Sequence, residues 1–494
     1  MKQLVILSIL LLSLFGSAVA APQDPPVLPA EGAYFSKQYR NMFAEAGYSE
    51  TLINQKLDNL WNLFFYGNAS TQAVYYPVGT DEAYILDTGN NDVRSEGMSY
   101  GMMICVQMDK KAEFDCLWKW AKTHMQNQSG PRKGYFAWQM NKDGTMKDQN
   151  PAPDGEEYFI MALMFASGRW GDGDGIYNYW KEANDILDAC LSKESGTIQQ
   201  SVMNLFNTTQ KQVVFTPYAN SASYTDPSYH LPAFYQLWSY WADSNRPFFA
   251  ELAQKSREMW TKFANAQTGL MPDYANFTGT PTGGTHADFR FDAWRCIMNM
   301  AVDYAWFKAD DNEFELVNKI LNFFEGQGIN SYGNQFSLSG TSLSTTHSPG
   351  LSACNATGAL ASDQTIAWDF IDKFFNTSIP SGTYRYYDGL LYFLNFLHLS
   401  GNFRIYEPTA NITKIETPTT NKNDFYCSDH TLYIGNTNVN NLSIFDVNGN
   451  LLISKNNIAS PLDISNLCPG VYIARISANG QIYNKKIVVA HNFK

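Results

Sequence analysis

Three short stretches, far apart in this chain, each place a carboxylate at the start of an apolar, helix-like run. They are Arg94-Ser95-Glu96-Gly97-Met98-Ser99-Tyr100, Pro151-Ala152-Pro153-Asp154-Gly155-Glu156-Glu157-Tyr158 and Phe291-Asp292-Ala293-Trp294-Arg295. Carboxylates beside aromatic residues equip a site for general acid–base hydrolysis. The glycosidic bond is the foremost case: one carboxyl protonates the leaving oxygen and another activates water. If the three runs are inner helices of a helical shell, all pointing the same way, their N-terminal ends share one rim. Glu96, Asp154 and Asp292 then face a single cleft.

Each carboxylate also has a plain structural alternative. In a first helical turn Glu96 complements the helix dipole, which would lower its pKa; an acid role needs a compensating rise from burial or a second carboxylate. Asp154 and Glu157 match the capping-box spacing, with Asp154 capping the helix and Glu157 reaching back. Asp226-Pro227-Ser228-Tyr229 repeats the theme, with Asp226 as N-cap and Pro227 at N1. Asp292 and Arg295 stand at i, i+3 on one helix face, as a structural ion pair or as a setting for a base that activates water. Trp138, in Gly134-Tyr135-Phe136-Ala137-Trp138-Gln139, is either the floor of a sugar subsite or a core residue.

The elements that must position these residues follow from the texture of the chain. Its 494 residues, 45% of them apolar, exceed one ordinary domain. From about residue 35 to 400 the pattern is helical, with long apolar runs at 97–108, 156–166, 231–242, 293–307 and 363–375. These are apolar on most faces, whereas 250–264 carries charge on one side like an outer helix. Loops rich in Gly, Pro, Asn and Thr, such as 276–285 and 337–350, separate them. The alternation predicts paired helices in two layers, an all-α toroid without a fixed-period repeat. Near residue 407 the texture changes. Glu407-Pro408-Thr409 and Thr417-Pro418-Thr419-Thr420-Asn421 read as a linker. Short alternating runs at 431–434, 442–447, 451–454, 471–476 and 482–489, with Asn448-Gly449 as a hairpin turn, predict a small β-sandwich.

Lys2, the apolar run 4–15 and Ala18-Val19-Ala20 read as a secretory signal. No later segment is long and apolar enough to span a bilayer, so the expected product is exported, either secreted or held at the cell surface. The expected division is signal 1–20, helical domain 21–406, linker 407–424 and β-sandwich 425–494. A net charge of −12 argues against nucleic acid as a partner. Seven cysteines form no CxxC pair. Cys105, Cys116, Cys190 and Cys296 read as buried thiols, and Cys427 and Cys468 could bridge. The seven histidines show no ligand spacing, and Asp172-Gly173-Asp174-Gly175 reads as a turn rather than a calcium loop, so neither metal nor cofactor is expected.

Taken in order, the motifs around Glu96, Asp154, Asp226 and Asp292 resemble glycoside hydrolase family 8 over about residues 35–400. The resemblance implies an inverting enzyme on an (α/α)6 barrel, acting as a monomer on xylan or xylo-oligosaccharides. Within the family the similarity points to the reducing-end xylose-releasing exo-oligoxylanases. Endo-xylanase, glucanase and chitosanase are the alternatives inside the family, and a non-catalytic glycan-binding protein is the alternative outside it. By the same resemblance Glu96 is the general acid, whose pKa Asp154 would raise by like-charge repulsion, and Asp292 is the general base. Asp154 holds a distorted sugar, and Tyr229, or its neighbour Tyr224, steadies the attacking water. Trp138, Arg295 and His347 complete the substrate-binding set, with His347 on a loop, Thr346-His347-Ser348-Pro349-Gly350, that would close one end of the cleft. Ser443-Ile444-Phe445-Asp446-Val447-Asn448-Gly449 and Leu467-Cys468-Pro469-Gly470-Val471-Tyr472 resemble a type IX secretion sorting domain, with a carbohydrate-binding module as the rival.

Overall fold

The computed structural model of the protein describes residues 24–408, 425–428, 431–434, 439–446, 450–458, 462–467, 470–478 and 481–489. The signal segment, most of the expected linker, the Asn448-Gly449 turn, Cys468 and the Cys427 side chain lie outside the described residues. The chain divides into two compact units, Met1–Thr409 and Ala410–Lys494.

In the first unit, twelve helices of nine or more residues follow one another among the described residues: α1 (Glu50–Tyr66), α2 (Ser95–Gln107), α3 (Lys111–Trp120), α4 (Pro153–Trp170), α5 (Tyr179–Leu191), α6 (Pro232–Trp241), α7 (Arg246–Phe263), α8 (Arg295–Phe307), α9 (Asp311–Gly326), α10 (Pro349–Thr357), α11 (Ala367–Asn376) and α12 (Arg385–Leu399). Their burial alternates. The even-numbered helices are buried along most of their length; in α2 every residue from Gly97 to Gln107 is buried. The odd-numbered helices bury one stripe, which in α7 is Phe249, Leu252, Ala253, Ser256, Arg257, Met259, Trp260 and Phe263. A helix apolar all round has to be enclosed by others, whereas a striped one can face water. Accordingly α2 packs on α4, α6 on α8, α8 on α10, α10 on α12 and α12 back on α2. The Tyr158–Phe234 ring contact, 5.0 Å between centroids, joins α4 to α6 and closes the ring. Every expected long run is a helix. The last begins at Ala367 rather than 363, because Ser362 is extended after the 3-10 turn Gly358–Ala361.

Short strands depart from the all-helical expectation. A five-stranded antiparallel sheet is formed by β1 (Tyr75–Val78), β2 (Glu82–Asp87), β3 (Asp92–Arg94), β4 (Gln139–Met140) and β5 (Met146–Asp148), in that order. Its strands are too short and too irregular to carry a period-2 signal. It matters for the site because β3 runs directly into α2 and pairs with β4, Arg94 opposite Gln139. The Ser95 N–H then donates to the Trp138 carbonyl at 3.0 Å, setting Trp138 beside Glu96. Further along, β6 (Tyr224–Thr225) pairs with β7 (Ala275–Asn276).

The second unit holds two antiparallel sheets. One has the order β8 (Phe425–Ser428), β9 (Thr431–Ile434), β12 (Leu462–Asp463); the other runs β11 (Leu451–Ile458), β10 (Val439–Phe445), β13 (Gly470–Ala478), β14 (Gln481–Val489). Leu432 and Ile464 share one core with Leu442, Ile444, Tyr472, Ala474 and Ile487.

Candidate active site

Glu96 is the second residue of α2 and Asp154 the second of α4; Asp292 opens a 3-10 turn that leads into α8. All three converge on Arg295, the first residue of α8, which is only 2% exposed. Its Nη1 donates to Asp154 Oδ2 at 2.8 Å, to the Tyr100 hydroxyl at 2.9 Å and to Glu96 Oε2 at 3.3 Å. Its Nη2 donates to Ser228 Oγ at 2.8 Å and to Asp292 Oδ1 at 3.2 Å. A buried charge has to be paired, and the planar fork of an arginine can serve several acceptors at once. Because Glu96 and Asp292 engage different nitrogens of one guanidinium, their facing oxygens are at most about 9 Å apart.

Two glycines allow this convergence. A Cβ on Gly97 would lie 2.4 Å from the ring of Tyr386, whose hydroxyl donates to Glu96 Oε1 at 2.9 Å. A Cβ on Gly155 would meet Ser95 Oγ at 2.5 Å, so the first turn of α4 could no longer rest on that of α2.

Burial pushes the Glu96 carboxyl up to about 7; the Arg295 charge opposes this, and Asp154 and Asp292 add to it. Asp154 is raised as well, by burial against the pull of Arg295. The rise that an acid at a helix N-terminus requires thus comes first from burial and only then from the neighbouring carboxylate.

Local capping follows the sequence reading at Asp226 but not at Asp154. The N-cap of α4 is Ala152, without a side-chain cap, and Asp154 Oδ2 is taken by Arg295. Glu157 does not reach back: it is fully buried and bonded to Tyr235, so the capping box does not form. The N-cap of α2 is Arg94, and Ser95 is already helical. At Asp154 and Glu157 a tertiary partner outcompetes the local bond. Asp226 does cap its turn, accepting from the Ser228 N–H at 2.7 Å with Pro227 at N1.

The cleft above the carboxylates has a volume of about 460 Å³ and is lined among others by Arg94, Glu96, Trp138, Asp154, Phe215, Tyr229, Tyr274 and Asp292. Trp138 is half-buried, and the Arg94 guanidinium lies 5.4 Å from its ring while pairing with Asp87 and Asp92, each at 3.1 Å. Tyr229 reaches the cleft with Arg295 against its ring at 5.5 Å. Tyr224 stands one ring further back, stacked at 5.1 Å on Phe215, which in turn runs parallel to Tyr229.

Two other candidates have their polar groups engaged within the protein. Arg295, expected to pair with Asp292 and to bind substrate, forms that ion pair and has the rest of its guanidinium engaged by protein partners as well. His347 does not line this cleft; its Nδ1 lies 2.9 Å from the Tyr332 carbonyl and its Nε2 3.3 Å from Ser352 Oγ. Asp172 accepts from the Trp180 N–H and from Ser167 Oγ, consistent with the turn reading. Cys105, Cys190 and Cys296 are buried free thiols, and so is Cys354, whereas Cys116 is half-buried.

Sequence reasoning missed Tyr386, Tyr100, Ser228 and Asp273. Asp273 Oδ1 accepts the Ala293 N–H at 3.1 Å, and its Oδ2 faces His286 Nδ1 at 3.1 Å. Burial and the Asp292 charge push its carboxyl up to about 8. Arg385-Tyr386-Tyr387-Asp388 opens an apolar run as the three acidic motifs do, a signal that could have found Tyr386. Asp273 lies in a loop with no periodicity to mark it.

An aromatic-walled cleft, one carboxyl that keeps its proton to about pH 7 and a second carboxylate across a shared guanidinium define a site equipped for acid–base hydrolysis of a glycoside. The chain belongs to glycosyl hydrolases family 8, an inverting family, whose profile matches residues 78–401. It is 44% identical over 386 residues to the reducing-end xylose-releasing exo-oligoxylanase of Paenibacillus barcinonensis, covering 77% of this chain and 100% of that protein. It is 43% identical over 384 residues to the corresponding enzyme of Halalkalibacterium halodurans, covering 76% and 97%. Among solved structures, a xylohexaose complex of a catalytic mutant of a family 8 xylanase from Teredinibacter turnerae superposes with a TM-score of 0.73 at 45% identity, covering 76% of this chain and 100% of that one. Residues 418–490 match the secretion system C-terminal sorting domain, which indicates export. Among the described residues no helix is long and apolar enough to cross a membrane.

Proposed function

We propose that this protein hydrolyses β-1,4-xylosidic bonds with inversion and releases xylose from the reducing end of xylo-oligosaccharides. The twelve-helix unit is read as an (α/α)6 barrel within 21–406, and 425–494 as a β-sandwich that delivers the enzyme to the secretion machinery after a linker at 407–424. Glu96 is the general acid: desolvation keeps its proton in place until the leaving glycosidic oxygen develops charge and takes it. Asp292 is the general base that removes a proton from the attacking water, which the Tyr229 hydroxyl steadies. Asp154 holds the sugar at the cleavage point and Trp138 floors a neighbouring subsite. The observation that carries this reading is the Arg295 bridge, which sets Glu96 and Asp292 on separate nitrogens while Glu96 is held near 7.

The xylo-oligosaccharide preference is supported by the two exo-acting relatives. Chromatography of products from xylotriose, xylan, carboxymethylcellulose and chitosan tests it, with single xylose units from xylotriose as the expected result. Proton NMR of the first-formed anomer should report inversion. An endo-xylanase reading is favoured by the similarity to the Teredinibacter turnerae xylanase and by His347, whose ring nitrogens already face protein partners. Under the exo reading His347 anchors the loop 346–350 through Tyr332 and Ser352, and the loop rejects chains that continue past the reducing-end sugar. His347→Ala should then lower xylose release from xylotriose by about tenfold and open the enzyme to long xylan. Internal cutting of xylan by the native enzyme, leaving mainly oligomers, would end the exo reading and leave the carboxylate roles intact.

A truncation at Thr409 should keep its rate on soluble oligosaccharides within about twofold, since the second unit shows no clustered carboxylates among its described residues and its role is delivery. A folded truncation that lost that rate would show that the second unit contributes to catalysis.

A further inference from the structure

Glu157 and Tyr235 are fully buried, and nothing in the hydrolysis described above uses them. The Tyr235 hydroxyl has one hydrogen but faces two oxygens, Glu157 Oε1 and the backbone carbonyl of Tyr229 at 3.0 Å. A backbone carbonyl only accepts, and so does an ionised carboxylate. Both contacts are full two-centre hydrogen bonds only if Glu157 itself carries a proton. Glu157 then donates to the Tyr235 hydroxyl, which passes its own hydrogen to the Tyr229 carbonyl. The remaining oxygen, Glu157 Oε2, is buried with no hydrogen-bond partner, a placement far less costly for a neutral acid than for a carboxylate. Burial pushes the Glu157 carboxyl well above the usual range, in the same direction, with Asp154 and Glu156 adding to the rise and Tyr235 and Arg295 opposing it.

The chain Glu157–Tyr235–Tyr229 links parts of the site that lie on different elements. Glu157 follows Asp154 by three residues on α4, and Tyr235 is on α6. The turn that ends in Tyr229 is tied on its other side to α8, where Arg295 donates to Ser228 Oγ and Asn299 donates to the Ser228 carbonyl, both at 2.8 Å. Resting on the reading of Tyr229 as the residue that steadies the attacking water, we propose that Glu157, as a permanently neutral acid, and Tyr235 are a positioning pair that holds Tyr229 over the cleft. Ionisation of Glu157 would reverse the donor order. The Tyr235 hydrogen would turn to the carboxylate, its oxygen would face the Tyr229 carbonyl without a proton between them, and the turn would be released.

The test measures kcat and KM on xylotriose at pH 6 for Glu157→Gln, Glu157→Leu, Tyr235→Phe and the Leu/Phe double variant. The glutamine amide can still donate to Tyr235, so Glu157→Gln should lose no more than about threefold in kcat. Glu157→Leu and Tyr235→Phe should each lose about tenfold or more in kcat with KM nearly unchanged, and the double variant should lose little beyond either. The infrared difference between native enzyme and Glu157→Gln at pH 7 should contain a carboxylic-acid C=O band. Native-like kcat in Tyr235→Phe, equal damage from Gln and Leu at position 157, or absence of the acid band overturns the proposal. If Glu157→Leu does not fold, Tyr235→Phe and the infrared band still decide. A native enzyme inactive on every xylo-oligosaccharide would overturn the substrate reading instead, and the infrared band would judge the pair separately.

Discussion

Glu96→Gln should lower kcat on xylo-oligosaccharides by about 10²–10⁴-fold, and Asp292→Asn by a comparable factor, with KM changing little. Glutamine keeps the shape and the contacts to Arg295 and Tyr386 but has no proton to give a departing sugar oxygen. Two further readouts separate the roles. An aryl xyloside with a good leaving group needs no acid, so it should restore much of the rate to Glu96→Gln and none to Asp292→Asn. The native rate should fall as pH rises through about 7, because Glu96 must be protonated to act and its raised pKa marks where the proton is lost. The glutamine variant should lack that decline. A glycan-binding protein built on this fold would release no sugar and would bind equally well with either substitution. Residual activity within tenfold of native in both variants would remove Glu96 and Asp292 from the chemistry.

Arg295→Met should cost about 3–5 kcal/mol of stability and nearly all activity, because it leaves Asp154, Glu96 and Asp292 around an empty centre. Without the guanidinium, which draws the carboxyls of Glu96 and Asp154 downward, both should rise further, and the decline in rate should move to higher pH in whatever activity remains. Arg295→Lys keeps the charge but cannot span acceptors on both Nη atoms, so it should fall between native and Met. Urea unfolding and steady-state kinetics check both variants. A residue that merely bound sugar would raise KM and leave kcat and stability alone. That pattern in Arg295→Met would restore the substrate-binding role suggested by the sequence and dismiss the bridging one.

The local features of the site were legible in the sequence because they are local in physics. A carboxylate ahead of an all-apolar run marks the start of a buried helix, and Glu96 and Asp154 do stand in first helical turns, with Asp292 in the turn before one. The alternation of all-apolar and striped runs already implied two layers of helices. Asp226-Pro227 announced its own cap, since an Asx side chain reaches only two or three residues along the backbone.

Tertiary structure decided whatever depended on contacts across the ring. The β3–β4 pairing that brings Trp138 beside Glu96 joins segments more than forty residues apart, through strands too short to show a pattern. Asp154 and Glu157 were read as a capping box from their spacing, but stronger buried partners on α8 and α6 took both. Arg295 shows the division most clearly. Its i, i+3 relation to Asp292 was visible in the sequence, but the Asp154 and Glu96 contacts lie 141 and 199 residues away in the chain. Sequence spacing carries information about one helical turn; only the closing of the ring brings three such turns onto one guanidinium.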